Sequence, residues 1–533
     1  MSTSESLGGA PVQYTREGRS GRICINNPPV NALGQAVRQG VLEALQEALE
    51  DKAVDVIVMV AAGRTFIAGA DIREFGKPPQ PPLLASVITA LEASHKPIIA
   101  VLHGTALGGG LEVALGCHWR IALEGTRVGL PEVKLGLLPG AGGTQRLPRL
   151  TGIDMALDMM TSGRFVDADE ARRHGIVDEV VAAEDPQAVA RLAAEQWLAG
   201  EIAPRLISEL SPPAHAQDVL ERYRRQLRRD VPYLFSPFRC VEAVEAATQR
   251  SFADGVAYER ELFRQCMDSP QRAGMIHHFF AIRDTHKVPG TKTNERLTTL
   301  GLIGHHPLFG TLASLAEKAG VTLVDPEADD ASCHSVQACL VAPDIGTDRY
   351  RRLRGVMPQV PLWIDVAAPD ARWRRDSDIA LVLPPHAAEP RVCELVDRTG
   401  HATHVQVLAN TLRRLKRQVV VTRGRSVISA LDTALRHVLN DDAEAQAAAW
   451  LANGWDLSPW LATESADAIE RAEGQGAEAC RTLDHAWQQA ALQISTAGLV
   501  HRDSDIDVLG IQAFGYPAHL GGPSFRVLSG AGF

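Results

Sequence analysis

The sequence predicts an α/β protein of several domains, on three observations. Short apolar runs alternate with amphipathic helical patterns from the N-terminus to about Val181. A second such alternation opens at Leu297, after a helical, charged stretch from Pro186 to His286 that has no strand pattern. Beyond Val421 the strand patterns fade and the chain returns to helix.

Taken in order, Ile23–Ile25, Val54–Val60 and Pro97–His103 read as strands. Between the first two, Val37, Val41, Leu45 and Leu49 recur every four residues, which marks one face of a helix. Strand, helix, strand at this spacing gives βαβ units and a mostly parallel sheet. Gly175-Ile-Val-Asp-Glu-Val-Val181 reads as one more short strand. Helices follow at Cys240–Thr248 and Tyr258–Met267, and Val288-Pro-Gly marks a boundary. The second α/β unit predicts strands at Thr299–Ile303 and Val321–Val324 around a helix at Thr311–Ala319. Ala443–Leu451, very rich in alanine, belongs to the helical end. The divisions expected are 1–190, 191–296, 297–425 and 426–533.

Composition narrows the function. The 533 residues are 45% hydrophobic and 22% charged, an ordinary globular balance. A net charge of −10 argues against nucleic acid as a partner, because phosphate binding needs a basic footprint. Met1–Tyr14 is polar and lacks the basic start and apolar core of a signal peptide. No apolar run approaches the roughly 18 residues that cross a bilayer, so no membrane partner is expected. The eight cysteines are scattered without a CxxC pair, which predicts neither disulfides nor zinc and fits a reducing cytoplasm. The final Ser-Gly-Ala-Gly-Phe is not a peroxisomal address of the Ser-Lys-Leu type. Neither HExxH nor GxSxG occurs, and no metal is expected.

Three segments carry chemistry: Thr65-Phe-Ile-Ala-Gly-Ala-Asp-Ile-Arg-Glu-Phe75, His103-Gly-Thr-Ala-Leu-Gly-Gly-Gly-Leu-Glu-Val113, and Val128-Gly-Leu-Pro-Glu-Val-Lys134 followed by Gly136-Leu-Leu-Pro-Gly-Ala-Gly-Gly-Thr-Gln-Arg146. Three consecutive glycines after a strand let the backbone approach a ligand closely, and Leu111 onward reads as a helix start. Free N–H groups at a helix N-terminus favour negative charge, such as an enolate-like thioester oxygen. Glu112 falls in the first turn of that helix. Glu132 follows a proline after a short strand, a loop position from which a carboxylate can face a pocket. Two carboxylates at one oxyanion site can share acid and base roles. Singly, a first-turn glutamate serves the helix dipole and a triple glycine is a tight turn. Their combination in this order is far more specific.

From about residue 12 to residue 185 these segments resemble the crotonase (enoyl-CoA hydratase/isomerase) superfamily. Asn27-Pro-Pro-Val-Asn-Ala-Leu33 and Gly63-Arg-Thr-Phe-Ile-Ala-Gly-Ala-Asp71 resemble the hydratase half of multifunctional β-oxidation enzymes. The resemblance implies a crotonase-like ββα-superhelix at 1–190. It also implies an oxyanion hole from the N–H groups of Ala70 and Gly109, with Glu112 and Glu132 as the catalytic pair. One glutamate would activate water for attack at C3, and Glu132 would protonate C2. Ala70, Asp71, Ile72, Arg73 and Gly109 match positions that line the substrate site. Lys77–Leu84, rich in proline, is expected to border the acyl pocket.

Thr299-Leu-Gly-Leu-Ile-Gly-His-His-Pro-Leu-Phe-Gly310, leading to Val321-Thr-Leu-Val-Asp325, resembles the first βαβ unit of 3-hydroxyacyl-CoA dehydrogenases. The stretch from Phe238 through His277-His-Phe-Phe280 to Lys287-Val-Pro-Gly290 resembles their linker. A dinucleotide turn needs glycine at three places. Gly304 fills the first, but His306 and Phe309 stand at the second and third. The family's histidine falls at Val382, its partner glutamate near Ala342, and the nearest histidine is His386. The resemblance therefore implies a helical linker, a degenerate Rossmann-like domain at 297–425 that has lost NAD, and a helical domain at 426–533. In the last, Leu499-Val-His-Arg-Asp-Ser-Asp-Ile-Asp-Val-Leu-Gly510 and Phe514–Phe525 match the family's closing scaffold.

The expected function is hydration of a 2-enoyl-CoA to a 3-hydroxyacyl-CoA without a cofactor, the product passing to a separate dehydrogenase or thiolase. The rivals are a Δ3,Δ2-enoyl-CoA isomerase, a non-catalytic acyl-CoA-binding subunit, and a dehydrogenase with unusual cofactor geometry.

Overall fold

The computed structural model describes residues 9–74, 77–327, 334–367, 377–384, 392–438, 450–451, 453–456 and 476–530. The chain divides into two compact units, Met1–Arg272 and Ala273–Phe533.

In the first unit, β1 (Val12–Glu17), β2 (Ser20–Ile25), β3 (Val56–Ala61) and β4 (Ile98–Leu102) precede two short strands. These are β5 (Thr105–Leu107) and, after β6 (Trp119–Leu123), β7 (Arg127–Gly129); β8 (Phe165–Asp167) and β9 (Glu179–Val181) complete the set. One sheet has the order β1-β2-β3-β4-β6-β9, parallel except for the β1–β2 hairpin. A second sheet pairs β5, β7 and β8.

Helices α1 (Gln35–Glu50), α2 (Leu84–Glu92), α3 (Gly109–Leu115), α4 (Gly143–Thr151), α5 (Ile153–Ser162) and α6 (Ala168–Arg173) connect these strands. α7 (Pro186–Leu198), α8 (Gln217–Asp230), α9 (Ser236–Gln249) and α10 (Phe252–Asp268) follow. Alternation along β3 sends Ile57, Met59 and Ala61 to one core, with Val37, Val41 and Leu45 of α1. It sends Val56, Val58 and Val60 to the other face, against Val189, Ala190, Ala193 and Ala194 of α7. Each such large aliphatic side chain stabilises the fold by about 1.5–3 kcal/mol when fully buried.

Leu220, Leu227, Val241, Val244, Leu262 and Cys266 of α8–α10 join the core of the sheet. Residues 191–272 are therefore part of the first unit, not the separate extension the division at 190 anticipated. The sequence also missed the β1 strand, since only Val12 of Val-Gln-Tyr-Thr-Arg-Glu is buried. The strand expected over 175–181 is confined to Glu179–Val181, because the chain is still turning out of α6 through Gly175, whose φ is +72°.

After α11 (Pro270–Asp284) the chain carries β10 (Thr299–Ile303), β11 (Thr322–Val324), β12 (Ala338–Val341), β13 (Trp363–Ala367), β14 (Ile379–Val382), β15 (Val392–Asp397) and β16 (Gln418–Arg423), the strands of the second unit. Their order is β11-β10-β12-β13-β14-β15-β16, with only the β14–β15 pair antiparallel. α12 (Pro307–Ala319) starts four residues earlier than its apolar spacing suggests, with proline in its first turn. α12 and the helix Ala402–Arg414 cover one face of this sheet. On the other face, Ala380, Val382, Val392, Val396 and Val420 meet the helices Val427–Val438, Gly476–Thr496 and Asp503–Phe514. The C-terminal helices thus share a core with the sheet. His386 and most of Ala443–Leu451 lie outside the described residues.

Candidate active site

The helix that bears Glu112 starts two residues earlier than predicted. Gly109 is its first residue, so the Gly109 N–H has no acceptor within the helix. Gly108 precedes it at φ +52°, a conformation that disfavours side chains. A Cβ at Gly109 would lie 3.6 Å from the Ala70 nitrogen and 3.3 Å from a Leu33 methyl. The two predicted amides are therefore neighbours. Leu84, which ends the proline-rich loop and opens α2, presses a methyl against the same glycine.

Both glutamates meet beside these amides. Glu132 opens the 3-10 turn Glu132–Leu135 just after β7, and a Cβ at Gly108 would lie 2.8 Å from its Oε1. Its Oε2 is shielded from solvent and has no hydrogen-bond partner among the described residues. Leaving a buried polar atom unmatched costs about 1–3 kcal/mol, so this oxygen is held ready for a group that arrives. Glu112, 3% exposed, lies in the first turn of α3, and its Oε1 accepts N–H bonds from Ala141 (2.8 Å) and Gly143 (2.9 Å). Gly143 is obligatory here, since a Cβ on it would sit 2.8 Å from that oxygen.

Electrostatics separates the pair. Burial raises the Glu112 carboxyl above its ordinary range, while the two N–H bonds and the Arg146 charge pull it back. Arg146 is itself fixed by a buried ion pair to Glu92, 2.6 Å away. Glu132 is pushed well above the usual range, first by burial and then by the Glu112 charge. Two close carboxyl groups, one supplied with donors and one without, favour one ionised and one protonated member.

The remaining predicted residues follow Ala70 directly along the chain. Asp71 accepts from the Arg73 main chain and binds its guanidinium, and Arg73 is 76% exposed. Ile72 opens the 3-10 turn Ile72–Glu74. The sequence missed Glu259. It lies on α10, fully buried, and accepts from Gly142 N (2.6 Å), Thr144 N (2.9 Å) and Thr144 Oγ1 (2.6 Å). A signal existed: Glu259 interrupts the buried stripe Gly255, Leu262 and Cys266.

In the second unit, the turn after β10 is closed by its own neighbours. The Asp344 carboxylate accepts the His305 N–H at 3.2 Å and fills the space where a Cβ on Gly304 would go. The His306 imidazole caps α12 by accepting the Leu308 N–H at 3.1 Å. Burial keeps His306 below its ordinary range, so it is neutral and able to accept. Val382 and Ala342 are both buried.

Residues 18–237, which fall within the first unit, match the enoyl-CoA hydratase/isomerase family. Among curated relatives, the chain is 41% identical over 267 residues to the peroxisomal bifunctional enzyme of Danio rerio, covering 50% of this chain and 37% of that protein. It is 40% identical over 282 residues to the peroxisomal bifunctional enzyme of Homo sapiens, covering 52% of this chain and 39% of that one. The chain thus spans less than half the length of these relatives. A crystal structure described as enoyl-CoA hydratase subunit I from Geobacillus kaustophilus HTA426 aligns at 32% identity over 51% of this chain and 95% of that one, with a TM-score of 0.33.

Proposed function

We propose that the protein is an enoyl-CoA hydratase that adds water to a 2-enoyl-CoA and yields a 3-hydroxyacyl-CoA. The observation that carries this reading is the meeting of Glu112 and Glu132 beside the Gly108–Gly109 backbone and the Ala70 amide. The thioester oxygen accepts from the N–H groups of Ala70 and Gly109, which stabilise the negative charge it gains when C3 is attacked. Glu112, kept anionic by its two N–H donors, takes a proton from water as the oxygen bonds to C3. Glu132, held protonated by its burial and by the neighbouring Glu112 charge, gives its proton to C2. Proton return from Glu112 to Glu132 through solvent resets the pair. Asp71, Ile72 and Arg73 line the entrance for the CoA portion.

The residues after β10 do not fit a dinucleotide. A pyrophosphate there would meet the Asp344 carboxylate and the His306 ring, so the second unit is read as a scaffold without NAD. A separate dehydrogenase or thiolase would consume the product. Among the described residues no helix is long and apolar enough to cross a membrane. The scattered cysteines, none in a CxxC pair, support a reducing, cytoplasmic setting; the relatives above are named peroxisomal.

The test is a panel of 2-enoyl-CoA thioesters with and without NAD, read by mass. A gain of one water, independent of NAD and carrying ¹⁸O from labelled solvent, is expected. Double-bond migration without ¹⁸O would replace the reading with isomerase chemistry, and binding without turnover would leave a carrier subunit.

A further inference from the structure

The four N–H groups of residues 141–144 are shared strictly by turns. Ala141 and Gly143 donate to Glu112, and Gly142 and Thr144 donate to Glu259. Alternate amides of this loop point to opposite sides, so the two carboxylates grip it from two directions. The second grip comes from a single face of α10. Gly255, Glu259 and Phe263, spaced four apart, meet Gln145, then Gly142 and Thr144, then Gly140. Gly255 makes room for the Gln145 side chain, and a Cβ at Gly140 would lie 2.5 Å from the Phe263 ring. Nothing in the hydration chemistry requires this third glutamate, yet burying it is costly unless its bonds serve a purpose.

We propose that Glu259 is a positioning residue for the hydration step: it fixes the 141–144 loop, and through that loop the place and charge of the Glu112 carboxylate. This rests on the hydratase reading. The groups that face Glu259 are Glu112 from α3, Glu132 from the 3-10 turn after β7, the Cys240 thiol from α9, and Thr144 from α4, with Arg146 beyond. Burial and then the Glu112 charge push the Glu259 carboxyl up to about 8. When ionised, Glu259 in turn raises Glu132.

The experiment compares wild type, Glu259→Gln, Glu259→Asp and Thr144→Val in steady-state hydration of crotonyl-CoA across pH. Glu259→Gln should lower kcat on the order of 10–100-fold while KM moves less than about threefold, as expected for a misplaced base. The descending limb of kcat/KM, set by loss of the Glu132 proton, should move to lower pH, and Thr144→Val should fall between. Heat denaturation supplies a readout independent of turnover. A carboxyl that keeps its proton up to about 8 when folded, but loses it near 4.5 when unfolded, costs stability as pH rises between those values. Wild type should therefore lose more stability over that window than Glu259→Gln does. An unmoved limb with wild-type kcat, or an unchanged pH dependence of stability, overturns the proposal. Absence of hydration in wild type, with the stability effect intact, would instead sink the hydratase reading.

Discussion

The two units each set a glycine-bearing turn before a helix, α4 in one and α12 in the other, and they use it in opposite ways. Before α4, Gly-Ala-Gly-Gly-Thr exposes its amides to carboxylates brought from α3 and α10. Before α12, His306 caps its own helix and Asp344 reaches over from the end of the neighbouring strand. Both ends attract negative charge. Only the first holds that charge in a buried place with a second carboxyl beside it, where proton transfer to a bound molecule is possible. A helix end is thus a resource whose use is decided by what fills it.

The comparison breaks first at the proposed proton donor. Glu132→Gln should reduce turnover about 10²–10⁴-fold while CoA-thioester binding stays largely intact; steady-state kinetics beside calorimetry would show it, and an unchanged rate removes the mechanism. Next comes the loop: Gly143→Ala forces a methyl against Glu112 and should lower kcat on the order of 10²-fold. In the second unit the analogous change affects folding alone. Gly304→Ala, at φ +85° and against Asp344, should cost about 1–3 kcal/mol in urea unfolding without changing hydration. The smallest expected signal is no signal: NADH fluorescence titrated with the protein should not saturate, and saturable binding would revive the dehydrogenase reading. Arg73→Ala, at an exposed ion pair, should leave the melting temperature unchanged and raise KM for the thioester.

Much of this was legible in the residues. The apolar spacing of Val37, Val41 and Leu45 gave the buried face of α1, and the order of the glycine and glutamate motifs brought Glu112 and Glu132 together. The β1 strand escaped because an edge strand that buries one residue has no apolar alternation to read. Glu259 escaped for a different reason. Its importance lies in contacts with residues more than a hundred positions earlier, which local pattern cannot express, although a charged residue within an apolar helical stripe was visible.

The stripe on α10 has an evolutionary corollary. Successive residues of a helix are rotated by about 100°. Inserting one residue between Ser251 and Gly255 would swing Glu259 and Phe263 off the loop together while leaving every residue of the recognised motifs in place. Two chains could then carry the same pair of glutamates and differ sharply in rate. The length of the segment before Gly255 would be the variable to watch.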